Sequence, residues 1–145
     1  MVYTKLTVRA MQIAYQAHHG QVDKAGVPYV LHPVHLAEGM EDEVSACVAL
    51  LHDVVEDTEW TFAMLEAEFP PAVTDALRLL THADEEPYMD YVRRIKGNAV
   101  ARRVKIADLK HNSDQTRFAG QPVSEEKLAY FRVKYAEPLR YLTED

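Results

Sequence analysis

The stretch Cys47-Val-Ala-Leu-Leu-His52-Asp53-Val-Val-Glu56-Asp57-Thr58 constrains this chain more than any other. Its apolar opening reads as a buried helix, and four ionisable side chains arrive together at its end, at positions 52, 53, 56 and 57. A helix turns once per about 3.6 residues, so His52 and Glu56 share a face, as do Asp53 and Asp57. On a helix running from about Val44 to Asp57 these groups make one polar patch on an otherwise oily surface. Crowding an imidazole and three carboxylates at the end of a buried helix is costly, because like charges repel and burial strips them of water. A divalent cation would remove that cost. An acidic, solvated helix terminus that happens to contain a histidine has the same spacing, so the stretch alone leaves both readings open.

Helical periodicity runs through most of the remaining chain. Leu6, Ala10, Ile13, Ala14 and Ala17 predict a first helix that Gly20 stops. A loop over Gln21 to Tyr29 carries Gly26 and Pro28, and a second helix starts around His32-Pro33 and ends at Gly39. Glu41-Asp42-Glu43 favours the start of the third helix. Thr61 caps a short fourth helix, Phe62 to Glu68, and Pro70-Pro71 opens a fifth with Val73, Ala76, Leu77 and Leu80 inward. After a polar loop over His82 to Pro87 come a sixth helix, with Tyr88, Tyr91, Val92 and Ile95, and a seventh from Ala99 to His111. The inner face of the seventh is read as Val100, Val104, Ala107 and His111. A loop over Asn112 to Pro122 leads to a last helix capped by Ser124, with Leu128, Phe131 and Tyr135 inward and a bend or break at Pro138. No strand pair, repeat, low-complexity tract or linker is visible. The expectation is one all-α helical bundle over residues 1–145, packed around the third helix.

Composition narrows the function classes. A formal charge of −7 argues against a general nucleic-acid binder, yet a local basic pocket on an acidic protein still suits a small anionic substrate. A single cysteine excludes an internal disulfide framework and fits a reducing compartment, and its apolar neighbours make Cys47 a core thiol. The start lacks a signal-peptide pattern, and no apolar run approaches the roughly 20 residues of a membrane span. The expectation is a cytoplasmic enzyme or binding module without membrane or nucleic-acid partners; the oligomeric state is not legible.

A His-Asp pair supplies two ligands, and a catalytic metal needs one or two more. His32 and Asp108 border apolar sequence and are the candidates. Each has a plainer reading: His32 preceding Pro33 in a loop, and Asp108 pairing with Arg103, Lys105 or Lys110. His18, His19, His35 and His82 are given no role. The basic residues of positions 93–110 read mainly as a solvated helix face, while Lys24 and Tyr29 are candidates for a phosphate-binding charge and a base-stacking ring.

Four segments then occur in a telling order: His18-His-Gly-Gln21, Lys24-Ala-Gly-Val-Pro-Tyr29-Val-Leu-His32-Pro33, Ala49-Leu-Leu-His52-Asp53-Val-Val-Glu56-Asp57-Thr58, and Lys105-Ile-Ala-Asp108-Leu-Lys-His111-Asn112. Together they resemble the HD-domain hydrolases of the RelA/SpoT type, especially the small stand-alone alarmone hydrolases. The resemblance runs from about Ala10 to Asn112, with an echo in Tyr135-Ala-Glu-Pro138-Leu. It implies an all-α HD fold holding one divalent metal, usually manganese, through His32, His52, Asp53 and Asp108. It implies that Glu56 and Asp57 assist the attacking water, and that Lys24 and Asn112 contact the nucleotide. The implied reaction removes pyrophosphate from the 3′ position of guanosine tetra- or pentaphosphate.

Two positions depart from that pattern. Asp23 precedes Lys24 where the family has arginine, and Asn112-Ser-Asp114 stands where it has Asn-x-Arg. Both put an anion in place of a cation near the expected nucleotide pocket, with Arg93, Arg94 or Arg117 available to compensate. Phosphohydrolase is therefore the broad expectation and alarmone hydrolase the specific one. A phosphatase of another nucleotide or ribose phosphate, and a nucleotide-binding sensor without turnover, are the alternatives. The chain is also too short for a synthetase domain, so no pyrophosphokinase activity is expected.

Overall fold

Thr4 fixes where the first helix begins. Its hydroxyl accepts from the Thr7 amide at 3.2 Å while the Thr7 hydroxyl accepts from the Thr4 amide at 2.8 Å, and this reciprocal cap opens α1 (Lys5–Ala17). Gly20, at φ +85°, turns the chain out of it. The computed structural model describes residues 1–120 and 123–144, so the loop expectation at Gln121-Pro122 lies outside the described residues.

Residues 21–29 fold back on themselves through an antiparallel bridge between Val22 and Pro28. Asp23 holds this hairpin from inside, its Oδ1 accepting from the Ala25 amide at 2.8 Å and the Val27 amide at 3.0 Å. Next come α2 (Leu31–Glu38) and α3 (Glu43–Leu51), the latter capped by the Asp42 carboxylate on the Ser45 amide at 2.8 Å. Every residue of α3 from Ser45 to Leu51 is buried, and the helix packs against α1, α2, α6 (Pro71–Leu80) and α8 (Ala99–Asn112). The third helix is thus the centre of the bundle, as its apolar run predicts.

That helix does not run on to Asp57. It stops at Leu51, His52 and Asp53 form a turn, and α4 (Val54–Asp57) restarts beyond them. The cause is local. A continuous helix would give the Ala49 carbonyl to the Asp53 amide, but His52 Nδ1 donates to that carbonyl at 2.7 Å.

The chain continues through α5 (Phe62–Glu66), α6 (Pro71–Leu80), α7 (Tyr88–Ile95), α8 (Ala99–Asn112), a 3-10 turn (Gln115–Phe118) and α9 (Glu125–Thr143). Two further expectations need correction. The buried face of α8 is Ala101, Val104, Lys105, Asp108 and Leu109, whereas Val100, Ala107 and His111 are only half-buried. The apolar stripe misleads because a buried Lys105–Asp108 ion pair, 2.9 Å, turns the helix toward the core. At Pro138 α9 neither stops nor needs to: Pro138 and Leu142 are buried, and Arg102 ties the helix end by donating to the Leu142 carbonyl at 2.7 Å. All regular elements among the described residues are helical, so the fold is all-α, and none of those helices is long and apolar enough to cross a membrane.

Leu50 has no exposed surface at the centre of α3. Leu50→Ala is expected to cost about 2–5 kcal/mol by opening a cavity that the four surrounding helices cannot close, read as a lower urea midpoint with an unchanged slope.

Candidate metal centre and active site

Three elements deliver the core of the site: the start of α2, the α3–α4 break, and the middle of α8. His32, His52 and Asp53 each present a ligand atom, all within 4.8 Å of one another. Asp108 joins them from α8, its Oδ1 lying 2.8 Å from His32 Nε2 and 3.5 Å from His52 Nε2. The structure therefore brings together the four candidate ligands read from the sequence, including His32 and Asp108, for which plainer readings were open.

The donor chemistry fits a cation. His52 Nδ1 faces a carbonyl, which only accepts, so this nitrogen bears the proton and Nε2 carries a lone pair in the neutral ring. Nε2 is buried without a hydrogen bond, 3.0 Å from Asp53 Oδ2 and facing Asp108 as well. In the neutral ring that lone pair would be repelled by two carboxylates, so the position calls for a positive charge, supplied either by a second ring proton or by a cation that displaces it. His32 is prepared the same way. Its Nδ1 lies 2.7 Å from His111 Nδ1, and burial first, then Arg117, pushes the His111 pKa down to about 4, leaving a neutral ring able to accept from His32. Burial opposes charge on His52, but Asp53 and Asp108 outweigh it and raise its pKa well above the ordinary value. Burial likewise opposes charge on Asp108, yet Lys105 and the two histidines hold it well below the carboxylate range.

The flanking residues are distributed around this centre. The Tyr29 hydroxyl donates to Asp53 Oδ2, with its ring between His18 and His32 at 4.9 and 5.8 Å. Asn112 donates to Asp108 Oδ1 at 3.2 Å. Asp57 is exposed at the end of α4; Glu56 is exposed too, and its carboxylate accepts from the His82 amide. Partial desolvation of the carboxylates against the centre, and then the charge of Asp53, raises the pKa of both, with the His82 amide opposing the rise at Glu56. Lys24 stands apart, its ammonium 4.2 Å over the Phe131 ring. A cavity of about 330 Å³ adjoins the centre, with His32, Tyr29 and Asn112 on one side and Lys24, Arg117 and Phe131 on the other. Asp23 is paired with Arg117 at 2.8 Å, so this anion meets a cation from the 3-10 turn inside the cavity wall.

Three residues were given no site role by sequence reasoning. Lys105, which the sequence places mainly on a solvated face and otherwise as one possible partner of Asp108, is buried and grips Asp108 Oδ2. His111 supports His32. His18 is buried with Nδ1 2.9 Å from Gln21 Oε1, and Gln21 reaches the Asp57 carbonyl at 3.2 Å. Its adjacency to Gly20-Gln21 was the available signal.

A family model described as HD domain matches residues 10–117, a span holding all four ligand candidates. The chain belongs to the HD domain family. Its similarity extends to the GTP pyrophosphokinase of Streptomyces coelicolor, 32% identical over 82% of this chain and 16% of that protein. The guanosine-3′,5′-bis(diphosphate) 3′-pyrophosphohydrolase of Haemophilus influenzae is 33% identical over 69% of this chain and 17% of its own. The bifunctional (p)ppGpp synthase/hydrolase SpoT of Escherichia coli is 36% identical over 57% and 12%. The chain thus spans about a sixth or less of these relatives' length. A solved structure described as "A metazoan ortholog of SpoT hydrolyzes ppGpp and plays a role in starvation responses" superposes with a TM-score of 0.77 at 25% identity, over 98% of this chain and 87% of that one. The fold of that structure therefore extends over nearly the whole of this chain.

Removing one partner of a buried ion pair strands the other. Lys105→Met is expected to destabilise this HD domain by about 3–5 kcal/mol, whereas Lys110→Met on the exposed side of α8 stays within about 0.5 kcal/mol. Urea denaturation of both variants checks the difference.

Proposed function

We propose that this chain is a metal-dependent phosphohydrolase that removes the 3′-pyrophosphate from guanosine-3′,5′-bis(diphosphate), working as one HD domain over residues 1–145 on a small nucleotide in the cytoplasm. The observation that carries the reading is the buried Nε2 of His52, gathered with ligand atoms of His32 and Asp53 within 4.8 Å and with Asp108 Oδ1 at 3.5 Å, next to a cavity of about 330 Å³ that His32 helps to line. The printed activities of the Haemophilus relative and the metazoan structure support the choice of substrate.

In this reading His32, His52, Asp53 and Asp108 hold the ion, which we take to be manganese. When bound, a divalent cation supplies Lewis acidity toward water and a phosphate oxygen. Glu56 and Asp57 orient the attacking water and accept its proton; their raised pKa values suit a base better than an ordinary surface carboxylate would. The new oxygen–phosphorus bond forms as the bond from phosphorus to the ribose 3′ oxygen breaks, and pyrophosphate leaves. Tyr29 fixes Asp53, Asn112 fixes Asp108, and Lys24 offers a cation to a polyanionic nucleotide, while Arg117 cancels the Asp23 anion in the same cavity wall. Arg117 supports the alarmone reading directly, because it neutralises Asp23 and reaches Asn112 at 3.4 Å.

The manganese-loaded protein is expected to release pyrophosphate from guanosine tetraphosphate. Asp53→Ala abolishes both metal retention and turnover; Glu56→Ala keeps the metal and slows turnover by roughly 10²–10⁴-fold. Parent-like rates in both variants, or tight nucleotide binding with no product, overturn the assignment. The pH profile is a second check. A base acts when deprotonated, and the desolvation of Glu56 and Asp57, which metal binding does not remove, moves the acid limb of kcat/KM upward from that of an ordinary carboxylate. A limb at or below about pH 4 contradicts their role.

A further inference from the structure

Glu56 and Asp57 stand on α4, a helix of four residues that is too short to be stable by itself. A carboxylate that readies a water must still be held to within about half an ångström of its working position. Glu56 is exposed, so packing does not choose its rotamer. What holds it is one backbone donor: its Oε1 accepts from the amide of His82, 26 residues further along the chain.

That amide belongs to the segment joining α6 to α7, and the segment is organised from α7. Arg94 reaches it with all three guanidinium nitrogens. Nη1 donates to the Leu79 carbonyl at 2.7 Å and Nη2 to the Thr81 carbonyl at 3.0 Å, two groups that the end of α6 leaves without helical partners. Nε and Nη2 also grip the two oxygens of Glu86, at 2.8 Å each, closing the far end of the segment. Tyr91, one turn before Arg94, donates to the Leu80 carbonyl at 2.7 Å. Three successive carbonyls are thus taken by α7, and the chain leaves α6 extended at Thr81, with ψ 112°, presenting the next amide to Glu56. The His82 ring closes the segment from within: Nε2 donates to the Glu86 carbonyl at 2.7 Å, and the ring packs against Tyr91 with centroids 4.9 Å apart. Arg94 does not line the cavity beside the His–Asp centre, so its charge serves this segment rather than a nucleotide.

We propose that Arg94 is a positioning residue for hydrolysis: by fixing the 79–86 segment it holds the His82 amide against Glu56, and so sets the direction from which Glu56 meets the attacking water. The proposal rests on the hydrolase reading and deepens it, assigning the orientation of the base to a residue outside the metal centre. Lysine is no substitute, because a single ammonium paired with Glu86 does not also span two carbonyls.

The test uses the full chain loaded with manganese and the variants Arg94→Met, Glu56→Ala and their combination. Arg94→Met is expected to lower kcat for guanosine tetraphosphate roughly 10–100-fold, with KM within about twofold of the parent and metal content unchanged. In the Glu56→Ala background the same change is expected to cost less than about twofold, because no carboxylate remains to be positioned. A purely structural role lowers kcat by the same factor in both backgrounds, and that result overturns the proposal. So does a raised KM at unchanged kcat, which marks Arg94 as a contact of the nucleotide. If circular dichroism shows that Arg94→Met does not fold, Arg94→Lys, which keeps a charge for Glu86, goes through the same cycle with the same expectations. A readout without turnover separates the two readings. With diamagnetic magnesium in place of manganese, the His82 amide proton resonance is expected to move upfield in both Glu56→Ala and the Arg94 variant. An unmoved resonance in the Arg94 variant overturns the proposal and leaves the hydrolase reading standing. If the parent turns over no nucleotide, the hydrolase reading fails, and the resonance still decides whether Arg94 holds Glu56.

Discussion

Asp108 is a carboxylate with 5% of its surface exposed, and the site depends on how its two oxygens are occupied. An unpaired charge at that depth would cost several kcal/mol. Lys105 takes Oδ2 at 2.9 Å, and His32, His52 and Asn112 surround Oδ1. The arrangement reaches outward from there. The Lys105 ammonium rests over Tyr91 and Tyr88 at 5.2 and 5.6 Å, and the Tyr91 hydroxyl donates to the Leu80 carbonyl at 2.7 Å. So α6 and α7, which contribute none of the four ligand candidates, hold the lysine that holds the aspartate. On the other side His111 orients His32, while the break after α3 turns His52 and Asp53 toward the same point.

How much of this was legible follows from the kind of signal each feature leaves. Apolar periodicity and capping residues are local, and α3, α5, α6 and α9 start where Asp42, Thr61, Pro71 and Ser124 place them. The central position of the third helix follows from its apolar run. The break at His52-Asp53 is not periodic information: it comes from one imidazole taking the Ala49 carbonyl, which no spacing encodes. The face of α8 was misjudged for a related reason. Hydrophobic patterning assigns Lys105 to solvent, whereas a cation with a buried carboxylate three residues on can face inward. Pro138 misled because a proline in the last turns of a long helix sacrifices one backbone bond, and burial of Pro138 and Leu142 outweighs it.

Charge placement carries the difference between this chain and the pattern it resembles. Asp23 looks like the loss of a cation from the nucleotide pocket, yet its side chain closes the 21–29 hairpin and pairs with Arg117. The Asp23 charge is thus cancelled by a cation from a different element. Asp114 behaves similarly, capping the 3-10 turn that presents Arg117 by accepting from the Thr116 amide at 3.0 Å. Both acids that seemed to oppose an anionic ligand thus position an arginine in the cavity wall. Net charge is a poor guide here, because ligand recognition depends on the few groups that face the cavity.

The central claim is that His32, His52, Asp53 and Asp108 meet at a single cation. Crystals soaked in manganese, with diffraction recorded on either side of the manganese absorption edge, locate the ion without reference to activity. The account predicts one strong anomalous peak within bonding distance of all four side chains. A peak elsewhere, or none at that point under saturating manganese, would contradict it.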